Sequence, residues 1–168
     1  MPQFRRLSAT VAMVAVLTLA FSSIASAHWG PWHRFLRFDN VWIDTAGVNE
    51  FTAKPGDRDR IVGLGGDDVL DAGDRNDLVR GGPGDDTMNG GDGNDILIGG
   101  PGDDVITGGA GRDIIRAGSG ADTIYAKDGQ RDWIRCGPGD DEYTADRFDR
   151  VAADCETDIT PPEADITP

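Results

Sequence analysis

Residues 81–125 read GGPGDDTMN, GGDGNDILI, GGPGDDVIT, GGAGRDIIR and AGSGADTIY, five successive nine-residue units. Aspartate stands sixth in each. The same spacing extends outward as Asp59, Asp68, Asp77, Asp86, Asp95, Asp104, Asp113 and Asp122. After a one-residue insertion within 127–131 the series resumes at Asp132 and Asp141. Two residues after each aspartate sits a mostly apolar side chain: Ile61, Leu70, Val79, Met88, Leu97, Ile106, Ile115, Ile124, Ile134 and Tyr143.

Each part of the unit has a physical reason. Gly82, Gly84, Gly91, Gly93, Gly100, Gly102, Gly109 and Gly111 admit positive φ, so six residues can turn tightly and present carbonyl oxygens on one side. The next three residues form a short strand whose middle side chain points inward. Consecutive turns then fall on opposite edges, and two units make one coil of eighteen residues. The spacing therefore predicts an all-β parallel solenoid with Asp68, Asp86, Asp104 and Asp122 on one edge and Asp59, Asp77, Asp95 and Asp113 on the other. Stacked strands lie about 4.8 Å apart, so bare carboxylates on one edge repel. Ca²⁺, which takes six to eight hard oxygen ligands, removes that repulsion using carboxylates and carbonyls of successive turns. The ten aspartates and the eight glycines named above are the candidate metal-site residues, for about six ions.

These residues are similar to the hemolysin-type, or repeats-in-toxin (RTX), calcium-binding repeat, GGxGxDxUx. The resemblance implies a parallel β-roll. It covers residues 54–144 and is strongest over 81–116. Three turns depart from the pattern: Arg75 takes the fourth position after Ala72-Gly73-Asp74, Lys54-Pro55-Gly56-Asp57 lacks both leading glycines, and Ala126-Lys127-Asp128-Gly129 carries the insertion. These are expected to bind weakly or not at all. Glu50, nine residues before Asp59, reads as a vestigial unit in poorly fitting surroundings. A metal-free glycine-rich solenoid or a low-complexity disordered tract is the bland alternative, but neither needs an acid in strict register with an apolar residue.

Outside the array, residues 1–27 read as a secretory signal: Arg5 and Arg6, an apolar run over 11–21, then Ala25-Ser26-Ala27 before cleavage at His28. That run is too short to span a bilayer, which needs roughly 20 residues, so no membrane insertion is expected. The remaining chain has 14 basic and 30 acidic residues, net −16, which argues against nucleic acid and favours cations. Secretion makes a disulfide between Cys136 and Cys155, the only cysteines, the natural reading, with two unrelated thiols as the alternative. It would close a C-terminal cap, residues 145–157, before a disordered tail, 158–168. This ending also resembles one common in actinobacterial secreted proteins of the RTX family.

Residues 28–53 gather Trp29, Trp32, Phe35, Phe38 and Trp42. The segment reads as a cap for the first coil, with a carbohydrate- or partner-binding surface as the alternative. A row formed by Leu78, Ile96, Ile114 and Trp133 is expected to face outward and to dock that segment, a second copy or another partner.

Several functions are disfavoured. Apart from His28, the one other histidine is His33, which disfavours a terminal copper brace. No nucleophile, histidine and acid constellation appears, so an enzyme is not expected. The resemblance does not imply lysis, since toxins and hydrolases of the family carry a separate effector domain, and the leader departs from the family's usual C-terminal secretion route. Pro83, Asp92, Pro101, Ala110 and Ser119 make no regular row for ice binding. The expectation is extracellular calcium binding with calcium-dependent folding, in a structural or adhesive role.

Overall fold

The computed structural model describes residues 40–43 and 47–161. The chain divides into a unit of residues 1–33, outside the described residues, and a unit of residues 34–168 that holds every element below. The expected leader and Trp29, Trp32, Phe35 and Phe38 also lie outside the described residues.

Among the described residues fourteen strands follow in order: β1 Asn40–Ile43, β2 Glu50–Thr52, β3 Asp59–Val62, β4 Val69–Asp71, β5 Leu78–Arg80, β6 Thr87–Gly93, β7 Ile96–Pro101, β8 Val105–Gly111, β9 Ile114–Ser119, β10 Thr123–Tyr125, β11 Trp133–Arg135, β12 Glu142–Thr144, β13 Arg150–Val151 and β14 Thr157–Asp158. Odd strands form one seven-stranded sheet and even strands a second, with neighbours parallel throughout. This is the β-roll: two strands per coil, with a register offset of eighteen residues, as in Leu97↔Ile115 and Ile106↔Ile124.

The core lies between the sheets. Ile61, Val79, Leu97, Ile115 and Ile134 fill it from one side, and Leu70, Met88, Ile106 and Ile124 from the other. Tyr143, expected in the same inward row, is only partly buried. A second inward position is the first residue of each unit, where Ala72, Ala117, Ala126 and Cys136 are also buried. Only a small side chain fits between the sheets there. Cys136 occupies one such place and is bonded to Cys155.

The one-residue insertion is absorbed by a turn, and Ile115↔Ile134 and Ile124↔Tyr143 remain in register across it. At the ends β1 and β2 lie before residue 54, while β13 and β14 lie beyond 144, and all four extend the two sheets. Glu50 does not hold an aspartate position: it pairs in register with Val69, and the backbone N–H of Asn49 bonds Asp68 Oδ1 at 3.0 Å. The column passes through Asn49 because the chain between it and Asp68 carries one extra residue.

Among the described residues two non-glycine residues adopt positive φ, Leu64 at 75° and Arg75 at 88°, where a Cβ costs about 1–2 kcal/mol. Both replace a turn glycine, and both side chains are exposed. Arg75→Gly is expected to stabilise the roll by about 1 kcal/mol once the glycine's greater unfolded-state freedom is counted. Chemical denaturation in saturating calcium would measure it, and a lowered midpoint would refute the assignment of strain.

Candidate metal centre

The ten aspartates of the nine-residue series are all buried, each at most 2% exposed. They are brought together as two ladders. Asp59 N–H donates to Asp77 Oδ1 at 2.6 Å, Asp77 to Asp95 at 2.7 Å, Asp95 to Asp113 at 2.8 Å and Asp113 to Asp132 at 2.8 Å. On the other edge Asp68 donates to Asp86, Asp86 to Asp104, Asp104 to Asp122 and Asp122 to Asp141, each at 2.8–2.9 Å. From Asp77 and Asp86 onward, one oxygen of each carboxylate is thereby committed to the preceding coil.

The second oxygen is not. Oδ2 of Asp77, Asp86, Asp95, Asp104, Asp113, Asp122, Asp132 and Asp141 is buried without a hydrogen-bond partner. A buried carboxylate oxygen left in this state is costly. Burial is the largest cause of a raised carboxyl pKa along both columns. It is opposed by the backbone N–H bond and reinforced in most cases by the next coil's aspartate. Asp95, Asp104 and Asp132 are pushed up to about 7. Asp77, Asp86, Asp113 and Asp122 reach about 6.

At Asp95 and Asp104 the orphaned oxygen shares its space with a backbone carbonyl. A Cβ on Gly99 would lie 2.1 Å from Asp104 Oδ2 and 2.4 Å from the Ala117 carbonyl oxygen. On Gly90 it would lie 2.7 Å from Asp95 Oδ2 and 2.4 Å from the Gly108 carbonyl oxygen. Gly90 and Gly99, at the heads of their units, thus each keep open a small space bordered by an anionic and a neutral oxygen. Among the described residues no three His, Cys, Asp or Glu side chains gather as a metal cage. Any cation here takes one carboxylate from a turn and fills its shell from main-chain carbonyls, a donor set that suits a hard ion such as Ca²⁺.

The turn glycines expected at the site stack in register. Gly82, Gly84, Gly91, Gly100, Gly102, Gly109 and Gly111 have positive φ, whereas Gly93 does not. Gly93 is required by proximity instead, since a Cβ there would lie 1.8 Å from the Arg75 carbonyl oxygen.

Sequence reasoning missed three features. The head glycines Gly81, Gly90, Gly99 and Gly108 border the orphaned oxygens, although their recurrence every nine residues was visible. The fifth residue of the unit forms ladders of its own, running the opposite way: Asp85 N–H bonds Asp67 Oδ1 at 3.0 Å, Asp103 bonds Asp85 at 2.9 Å and Arg112 bonds Asn94 at 2.9 Å. Recurrent Asp or Asn before the sixth-position aspartate was the available signal. Finally, Asp149 and Glu156 continue the columns by accepting from Asp132 and Asp141 at 2.9 and 3.2 Å. Their spacings of 17 and 15 residues hid them.

Residues 62–97, 71–106 and 98–131 match the family described as RTX calcium-binding nonapeptide repeat (4 copies). No curated protein and no solved structure matches the chain.

Proposed function

The chain carries RTX calcium-binding nonapeptide repeats, and from that premise we propose that it is a secreted extracellular protein whose roll folds on calcium and serves a structural or adhesive role. The observation that carries this reading is the columns of orphaned, buried aspartate oxygens, with main-chain carbonyls beside those of Asp95 and Asp104. A buried anion without a counter-charge destabilises the fold, and a divalent cation supplies that charge while bridging successive coils.

The residues divide the work. From Asp77 and Asp86 onward Oδ1 orders the preceding turn and Oδ2 presents charge, the head glycines Gly81, Gly90, Gly99 and Gly108 leave room, and the carbonyls of Gly108 and Ala117 border Oδ2 of Asp95 and Asp104. Asp59, Asp68, Asp77, Asp86, Asp95, Asp104, Asp113, Asp122, Asp132 and Asp141 are the proposed anionic ligands, for about six ions of weak affinity, on the order of 10⁻⁴ to 10⁻³ M as in extracellular modules. The turns at Arg75 and at the insertion are the weakest candidates. The disulfide between Cys136 and Cys155 supports an oxidising compartment, where calcium is abundant. Among the described residues no helix is long and apolar enough to cross a membrane.

Asp95→Asn combined with Asp104→Asn tests the reading, because the amide keeps shape but removes charge from the middle of both columns. Calorimetric titration is expected to give fewer bound ions than in the unsubstituted protein, with a calcium midpoint for folding raised about tenfold, equivalent to about 1.4 kcal/mol. Unchanged stoichiometry and midpoint would place the ions elsewhere.

A further inference from the structure

The two outward sheet faces differ sharply. On the odd-strand sheet, Leu78, Ile96, Ile114 and Trp133 stand side by side in register, and two residues along each strand run Arg80, Ile98, Arg116 and Arg135. Arg60 precedes the first row and Arg150 follows it. All five arginines are exposed, and the only acid in these strands is the buried Asp59. The even-numbered strands contain no basic residue. In a chain with a net charge of −14, one face therefore carries an apolar lane beside a cationic lane, both running along the roll axis.

The lanes deepen toward the C-terminal end into a trench of about 780 Å³ bordered by Ile114, Arg116, Trp133, Arg135, Arg150 and Asp154. Trp133 is 52% exposed, with the Arg150 guanidinium 5.1 Å from its ring centroid. Arg135 bonds Asp154 at 3.2 Å. Arg80 and Arg116 form no ion pair among the described residues.

We infer that this face binds an acidic polysaccharide lying along the roll axis. Sugar rings rest their CH faces on Trp133 and Ile114, and acidic groups reach Arg116 and Arg80. Three features favour this occupant. Arginine presents a fork of donors that matches a carboxylate or sulfate in bidentate fashion. The exposed indole offers the flat apolar surface that a pyranose ring covers. Arg116 and Arg135 sit on adjacent strands, about 4.8 Å apart, close to the rise of one sugar in an extended chain.

A peptide fits less well. The main-chain groups of β7, β9 and β11 are spent on neighbouring strands, so an extended peptide would lay its own N–H and C=O groups over the apolar lane without partners. A sugar chain sends its hydroxyls sideways into water. The proposal needs a folded roll and does not depend on how that roll is stabilised.

The test is calorimetric binding of polygalacturonate oligosaccharides, with their methyl esters and poly-glutamate as comparisons, in saturating calcium. Circular dichroism in the same buffer reports the folded roll separately from binding. Polygalacturonate is expected to bind at least about tenfold more tightly than its ester. Arg80→Glu with Arg116→Glu, and separately Trp133→Ala, should each weaken binding by about tenfold while leaving the spectrum unchanged. No binding to a folded roll would overturn the proposal. So would binding untouched by the arginine reversals, which would mean calcium bridging at the aspartate edges, or tighter binding of poly-glutamate, which would mean a protein partner.

Discussion

Gly111→Ala is expected to destabilise the calcium-loaded roll by about 3–5 kcal/mol, combining left-handed backbone strain with overpacking against main chain. Gly111 has φ 146°, and a Cβ there would lie 1.4 Å from the Gly93 carbonyl oxygen. That oxygen cannot withdraw, because Gly93 and Gly111 are register partners in neighbouring strands of one sheet. Moving one coil from the other would break hydrogen bonds along both columns. Gly73 also has positive φ, 83°, but nothing lies within 4 Å of its Cβ position. Gly73→Ala is therefore expected to cost only the backbone term, about 1–2 kcal/mol. Chemical denaturation of both variants in saturating calcium decides the point, and equal losses would mean that close stacking of the coils is not what requires glycine.

Acidification is expected to act in opposite directions with and without metal. Asp95, Asp104 and Asp132 sit near 7 in the folded roll, and Asp77, Asp86, Asp113 and Asp122 near 6, against 3.8 for an ordinary aspartate. Burial raises them first, and neighbouring carboxylates add to it in most cases. Between about pH 4 and 7 the folded chain then binds protons that the unfolded chain does not, so folding of the metal-free protein is favoured as pH falls. The gain is complete below the unfolded value near 3.8 and is lost as pH rises through the folded values. In a chelator, lowering pH from about 8 to about 5 should increase β signal in circular dichroism. With calcium present the same change should weaken calcium binding, since a proton on Oδ2 competes for the same oxygen. A flat metal-free spectrum across that range would contradict the burial of these groups.

Much of the fold was legible because the repeat is strict where packing is strict. An aspartate every nine residues and an apolar residue two places later predicted both columns and the inward rows, and Leu97, Ile106 and Ile115 are fully buried as that pattern requires. The outward row of Ile96, Ile114 and Trp133 also followed from alternation along a strand. The arginine lane beside it did not, because those residues fall at the variable ninth position and only register brings them together. The columns' ends were hidden for a related reason. Asn49 is offset by one residue, while Asp149 and Glu156 follow shortened turns, and side-chain bonding reveals what spacing does not. Leu64 shows that the glycine rule bends: its side chain is exposed, so the turn accepts backbone strain without a clash.

In the proposed function the orphaned Oδ2 oxygens make the roll depend on calcium. Far-ultraviolet circular dichroism of the chain from residue 28 onward, titrated with calcium chloride and in parallel with magnesium chloride, tests it most directly. Magnesium demands near-ideal octahedral geometry and dehydrates reluctantly, so a shell of one carboxylate and several fixed carbonyls should not satisfy it. A cooperative gain of β signal is expected as calcium reaches about a millimolar, reversed by chelator and absent with magnesium. A spectrum identical in chelator and in calcium would contradict it.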